Sequence, residues 1–386
     1  MTKIKKQVIY LITSPLSKRD YSRFGINRWL DRGWNVKVFD LTKLLNYEYW
    51  DYVKGENLSV DFDGLKIIED EQSAFDLINS LEGGSVFIDF IHISNRIERE
   101  IRRLVCDKGV TMKLEVGLLP IKHSYRSVLL RRVKMVLSHP DYFFRAIKYK
   151  IRQYLKSSNS PDYLVVSGTA FNQNSNRGNT FVIKAHSFDY DFFLTNNKKI
   201  EFNNNILVFL DSDGPYHPDF VHLGIEPYVT AENYYQTMDE GLLQIGKALN
   251  YDIKIAAHPR SDYENKAIKY TFPVVENQTF DLIRQASVIV SHGSTALNWA
   301  IMMRKPIILV TTDEMKKSRF NEITEGFADS LGKDIINLDS ITENYNWKSQ
   351  LVINENKHKT HTETFIKHSG TPDKLLWDIV INQMES

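Results

Sequence analysis

The chain has 386 residues, 42% of them hydrophobic and 25% charged, and its 49 Lys and Arg nearly balance 48 Asp and Glu. That composition excludes disordered, collagenous and low-complexity classes, and a net charge of +1 gives no global signature of nucleic-acid binding. The single cysteine, Cys106, excludes an internal disulfide and any cysteine-rich metal site, as expected of an intracellular protein.

Residues 7–13 (QVIYLIT) read as a first buried strand, because the apolar run is too short for a signal core or a bilayer span. Residues 17–32 follow as a helix closed by Gly33. Strands are expected over 35–41, 85–91, 111–117, 162–168 and 181–187, with a charged helix over 97–107. The polar stretch 195–205 reads as a linker, after which the pattern restarts. Strands over 205–211, 252–259, 287–293 and 306–312 alternate with helices over 231–249, 279–286 and 295–303, and a last helix lies near DKLLWDIVINQM. Short apolar runs alternating with amphipathic segments mean an α/β protein with mostly parallel sheets. The expected division is an N-terminal domain over 1–200, a second over 205–350, and a C-terminal helix in 351–386 packing back on the first.

The richest stretch is S-H-G-S-T at 291–295, a small polar turn between a strand and a helix. Backbone N–H groups at a helix start, with Ser291, Ser294 and Thr295 beside them, can hold an anion, and Gly293 admits close approach. The plain alternative is that Ser294 or Thr295 only caps the helix. One βα unit earlier a strand ends in His258-Pro259-Arg260, on the same sheet edge if the sheet is parallel. Glu314, after the next strand, could accept from ribose hydroxyls. This arrangement resembles the nucleotide half of GT-B glycosyltransferases, and its H-P and Ser/Thr elements resemble those of bacterial sialyltransferases and related CMP-sugar enzymes. Asp211-Ser212-Asp213-Gly214 is similar to their short acidic motif but falls in the other half of the chain. The resemblance covers residues 207–314. It implies two Rossmann-like domains of GT-B type around an interdomain cleft, a nucleotide-sugar co-substrate and no metal or other cofactor.

The first half should then supply acceptor binding and catalysis. Asp20 follows the first strand and either faces the cleft or is a solvated helix-start charge. Asp89 and Glu115 interrupt apolar strands, where carboxylates are rare unless paired or functional. His186, Asp189 and Asp191 crowd together in AHSFDYD. A one-histidine, two-carboxylate metal site lacks further ligands, which leaves a catalytic cluster or an Asp-rich turn capping a helix. Glu115 with Asp189 resembles the carboxylate pair of retaining β-Kdo transferases; in an inverting enzyme one of these, or His186, would be the general base.

Residues 122–156 set ten Lys or Arg against the lone acid Asp141, with aromatics interleaved. Either this is a solvated basic surface or it meets an anionic membrane. The expected function is transfer of a sugar, Kdo or another ulosonic acid from a CMP donor, onto a bacterial surface glycan or lipid-linked acceptor. The enzyme would be cytoplasmic, at the inner face of the membrane, with no nucleic-acid partner. The alternatives are a UDP-sugar transferase or UDP-sugar 2-epimerase, a CDP-polyol phosphotransferase, and a non-catalytic nucleotide- or glycan-binding protein.

Overall fold

The computed structural model describes residues 4–53, 60–91, 95–122, 160–171, 180–196, 205–217, 220, 226–259, 261–318, 321–342 and 344–386. These fall into two compact units. The first holds the chain as far as Gly117, then 160–191 and Lys367–Ser386; the second holds 118–122 and the described residues from Phe192 to Ile366.

The first unit is built on seven parallel strands: β1 (Gln7–Ile12), β2 (Asn35–Asp40), β3 (Leu65–Ile67), β4 (Ser85–Asp89), β5 (Gly109–Glu115), β6 (Tyr163–Val166) and β7 (Phe181–Lys184). Their order is β3-β2-β1-β4-β5-β6-β7. Alternation along β1 explains its apolar run. Val8, Tyr10 and Ile12 face one core, Ile9 and Leu11 the other, so both faces of the sheet are covered.

One core is completed from the far end of the chain. Leu376, Trp377, Val380 and Ile381 of helix Leu376–Glu385 pack among Tyr10, Ile26 and Trp29, and Trp377 Nε1 donates to the Arg23 carbonyl at 2.6 Å. The single helix expected over 17–32 is two, Lys18–Arg23 and Ile26–Asp31. Gly25 breaks it at φ +60°, a left-handed conformation that glycine takes without strain. A Cβ at Gly25 would collide with the Trp377 ring.

The second unit has six parallel strands: β8 (Ile206–Leu210), β9 (Asp252–Ala256), β10 (Val274–Val275), β11 (Val288–Ser291), β12 (Ile307–Thr311) and β13 (Ile335–Asn337). Their order is β10-β9-β8-β11-β12-β13. Helix Ala231–Leu249 matches the expected bounds. Strands β3, β10 and β13 and helices Glu71–Ser80, Asn321–Leu331 and Glu355–His361 are additions to the expected set. Residues 118–122 belong with this unit: the Lys122 N–H donates to the Glu322 carbonyl, and Gly326 leaves no room for a Cβ against the Pro120 backbone.

The fold class is therefore α/β, with two doubly wound parallel sheets. In each, the order reverses beside the central strand, between β1 and β4 and between β8 and β11. Crevices outside the carboxyl ends of strands at such reversals are where open α/β sheets bind ligands.

Candidate functional site

At the second reversal, β8 runs into Asp211-Ser212-Asp213-Gly214 and β11 into Ser291-His292-Gly293-Ser294-Thr295. The buried Ser291 hydroxyl accepts from the N–H groups of Gly293 and Ser294 at 3.3 and 3.2 Å, which folds the turn back on its strand. Ser294 Oγ accepts the Ala296 N–H at 3.3 Å within the turn, while the residue that caps helix Leu297–Met302 is Ala296, with no side-chain hydrogen bond to the helix. Thr295 is exposed. Gly293 sits at φ +107°, and a Cβ there would press on Thr324 Oγ1 and Ile323.

Asp211 is enclosed by hydroxyls. It accepts from Tyr234 at 2.6 Å, from Tyr270 at 2.9 Å, from Tyr263 and from the Asp213 N–H. An ionised carboxylate needs such donors when water is removed. Burial and then the Asp211 charge push the Tyr234, Tyr263 and Tyr270 hydroxyls far up, so they stay neutral donors. The Tyr234 oxygen also lies 2.7 Å from His292 Nε2. Its one proton goes to Asp211, so His292 donates from Nε2. Burial lowers the affinity of that imidazole for a second proton and keeps it neutral.

Asp213 is equally enclosed and holds a left-handed φ of +53°. It accepts from Ser261 Oγ and from Lys266 Nζ at 2.6 Å, and Lys266 also lies 3.5 Å above the Tyr263 ring. His258 stands at the end of β9, its carbonyl accepting the Ser261 N–H at 3.0 Å and its ring 4.6 Å from that of His217. Arg260 lies outside the described residues. Glu314 is engaged elsewhere: its carboxylate takes the Thr230 N–H at 3.1 Å and Asn233 Nδ2 at 3.0 Å, supporting helix Ala231–Leu249.

In the first unit the candidates separate into pairs. Asp20 completes the cap of helix Lys18–Arg23, exchanging hydrogen bonds with Ser17 and pairing with Arg19. Asp89 ends β4 in an ion pair with Arg102 and accepts the Ile91 N–H at 2.7 Å. Glu115 ends β5 with Lys113 Nζ at 3.4 Å. Asp189 and Asp191 lie in the first turn of helix Phe188–Asn196, so that stretch is a helix start. Asp189 stands 3.7 Å from Arg23. His186 is fully buried, its Nε2 2.7 Å from the Lys374 carbonyl and 3.5 Å from Asp191, its Nδ1 3.1 Å from the Ser187 carbonyl. Asp191 accepts the Leu376 N–H at 2.8 Å, and burial raises its carboxyl to about 6.

The structure thus gathers Asp211, Asp213, the His258 loop and the 291–295 turn at one sheet edge, and His186 with Asp191 in the other unit. Sequence reasoning passed over His292, Tyr234, Ser261, Tyr263, Lys266 and Tyr270. The signal available was a loop carrying tyrosines and a lysine one strand away from an acidic D-x-D. Residues 123–156 of the basic segment lie outside the described residues. Among the described residues no cluster of three or more metal-ligating side chains occurs, and no helix is long and apolar enough to cross a membrane.

No family model and no curated protein matches the chain. Among solved structures it is similar to Acinetobacter baumannii MurG (TM-score 0.45, 10% identity, covering 98% of this chain and 100% of that one). It is also similar to the Methanocaldococcus jannaschii UDP-GlcNAc 2-epimerase in complex with UDP-GlcNAc and UDP (0.44, 14%, 98% and 100%). A third is Arabidopsis thaliana UGT89C1 complexed with quercetin (0.47, 11%, 98% and 99%). Likenesses this distant carry no argument about chemistry.

Proposed function

We propose that the chain is a glycosyltransferase of GT-B type that binds the nucleotide of a sugar donor in its second unit. The observation that carries this reading is the convergence at the β8–β11 reversal. There the Ser291–Thr295 turn, opened by Gly293, and the loop bearing His258 follow β11 and β9, the two strands that flank β8 in one parallel sheet. Backbone N–H groups and hydroxyls of that turn suit a phosphate, and His258 adds a hydrogen bond to it. No metal is required when such groups meet the leaving phosphate. Glu314 would reach a ribose only by giving up Thr230 and Asn233.

The donor we favour is a CMP-linked ulosonic acid such as Kdo, passed to a surface glycan or lipid-linked acceptor at the inner face of the cytoplasmic membrane. What supports this donor is the H-P and S-H-G-S-T resemblance. Glu115 and Asp189 are the proposed carboxylate pair. One attacks the anomeric carbon as the bond to the nucleotide phosphate breaks, and the acceptor hydroxyl, giving its proton to the other carboxylate, then displaces it. His186, buried with both ring nitrogens against carbonyl oxygens, is better suited to positioning than to proton transfer. Charge reversal within residues 122–156 should abolish sedimentation with anionic liposomes if that segment meets the membrane.

A thermal-shift series with CMP, UDP, CDP and GDP tests the reading, because a ligand of the folded state raises Tm by mass action. CMP should give the largest rise. A preference for UDP would turn the assignment to a UDP-sugar transferase or 2-epimerase, and one for CDP to a phosphotransferase. No rise with any of the four overturns it.

A further inference from the structure

Among its described residues the segment joining β9 to β10 has no helix or strand, yet four of its side chains grip the two acids that follow β8. Ser261 and Lys266 bind Asp213, and Tyr263 and Tyr270 bind Asp211. The spacing matters: these positions span most of the segment, so the anchoring is distributed along it. The Lys266–Asp213 pair is nearly closed to solvent, with side chains 7% and 1% exposed. A buried charge with fixed partners has few alternative arrangements, because each would strand an unpaired ion. The same segment carries His258, tied to Ser261 through the Ser261 N–H and the His258 carbonyl. The strain at Asp213, φ +53° in a non-glycine residue, is maintained by these contacts.

We infer that Asp211 and Asp213 are positioning residues, holding the 257–273 segment in one conformation so that His258 is set for its ligand before the ligand arrives. Neither acid touches the ligand. The D-S-D-G motif, which has the letters of a metal or general-base motif, is an internal anchor. The role assigned to His258 rests on the nucleotide reading above; the anchoring itself does not.

Hydrogen exchange of the full chain tests it. Asp213→Asn should speed exchange by about tenfold or more in peptides covering 257–273, with little change in the first unit, since local opening is governed by the contacts of that segment. Lys266→Met and Ser261→Ala each remove one grip and keep the test alive if Asp213→Asn does not fold. Ile78→Val, in the core of the first unit, serves as a control for general destabilisation. The nucleotide that gives the largest thermal shift on the wild type should bind Asp213→Asn about tenfold more weakly and Ile78→Val unchanged. Unaltered exchange in 257–273 in the folded variants overturns the anchoring. A loosened segment with undiminished nucleotide affinity overturns the positioning of His258. If no nucleotide binds the wild type, the functional reading fails, and the exchange pattern alone decides the anchoring.

Discussion

The Asp191 carboxylate accepts the backbone N–H of Leu376 at 2.8 Å, a contact between residues 185 positions apart that caps the first turn of the last helix. Burial raises this carboxyl to about 6. The folded protein therefore holds a proton that the unfolded chain has released. The resulting contribution to stability is present below about pH 4, where both states are protonated only with the folded one favoured, and is lost as pH rises through about 6. Unfolding free energy measured by urea titration should fall between these limits by about 1–3 kcal/mol. Asp191→Asn keeps an acceptor for Leu376 and should flatten that slope; an unchanged slope would refute the assignment.

Tyr234 links Asp211 to His292, so its hydroxyl serves two buried groups at once. Tyr234→Phe strips Asp211 of a donor and His292 of an acceptor. The expected loss is about 1–3 kcal/mol, the range for stranding buried polar partners. Equilibrium denaturation should show it, and a loss within error would mean that the site is wet enough to replace the hydroxyl.

Gly25 stands at φ +60° with the Trp377 ring where a Cβ would be. Gly25→Ala must both strain the backbone and displace the ring from its hydrogen bond to Arg23. We expect a loss of about 2 kcal/mol or more from overpacking and the left-handed conformation. Trp fluorescence should report the displaced ring, and an undisturbed spectrum with full stability would contradict the packing.

Gly293→Ala would press a methyl against Thr324 Oγ1 and Ile323 at 3.1 and 3.3 Å. If the 291–295 turn receives the phosphate, nucleotide affinity should fall by about tenfold or more while the protein stays folded. Isothermal titration with the best nucleotide from the thermal-shift series checks this. Equal affinity in the variant would remove that turn from the binding site.

The α/β class was legible because central parallel strands are apolar on both faces: Leu207 and Phe209 enter one core, Ile206, Val208 and Leu210 the other. Of the edge strands, β7 was expected but β3 and β10 were not, since Leu65-Lys66-Ile67 and Val274-Val275 are short and only partly covered, and leave no apolar run to read. The 291–295 turn could be found because its elements are contiguous. The anchor on Asp211 and Asp213 could not, because its partners lie 48 to 59 positions away in a segment without periodicity. Asp89, read as a carboxylate interrupting an apolar strand, found in Arg102 a partner whose identity no local pattern announces.

The split composition of the first unit has a consequence for how the chain is made. Its sheet is finished by β7, yet the side of the core around Trp29 stays uncovered until Leu376 and Trp377 arrive. On a ribosome working from the amino end, every strand of the second sheet emerges before that helix does. The unit whose strands emerge earlier is thus the later of the two to close. Until then it exposes tryptophans to chaperones, and a stalled or clipped chain missing residues 367–386 is expected to be recognised as unfinished even with its second unit intact.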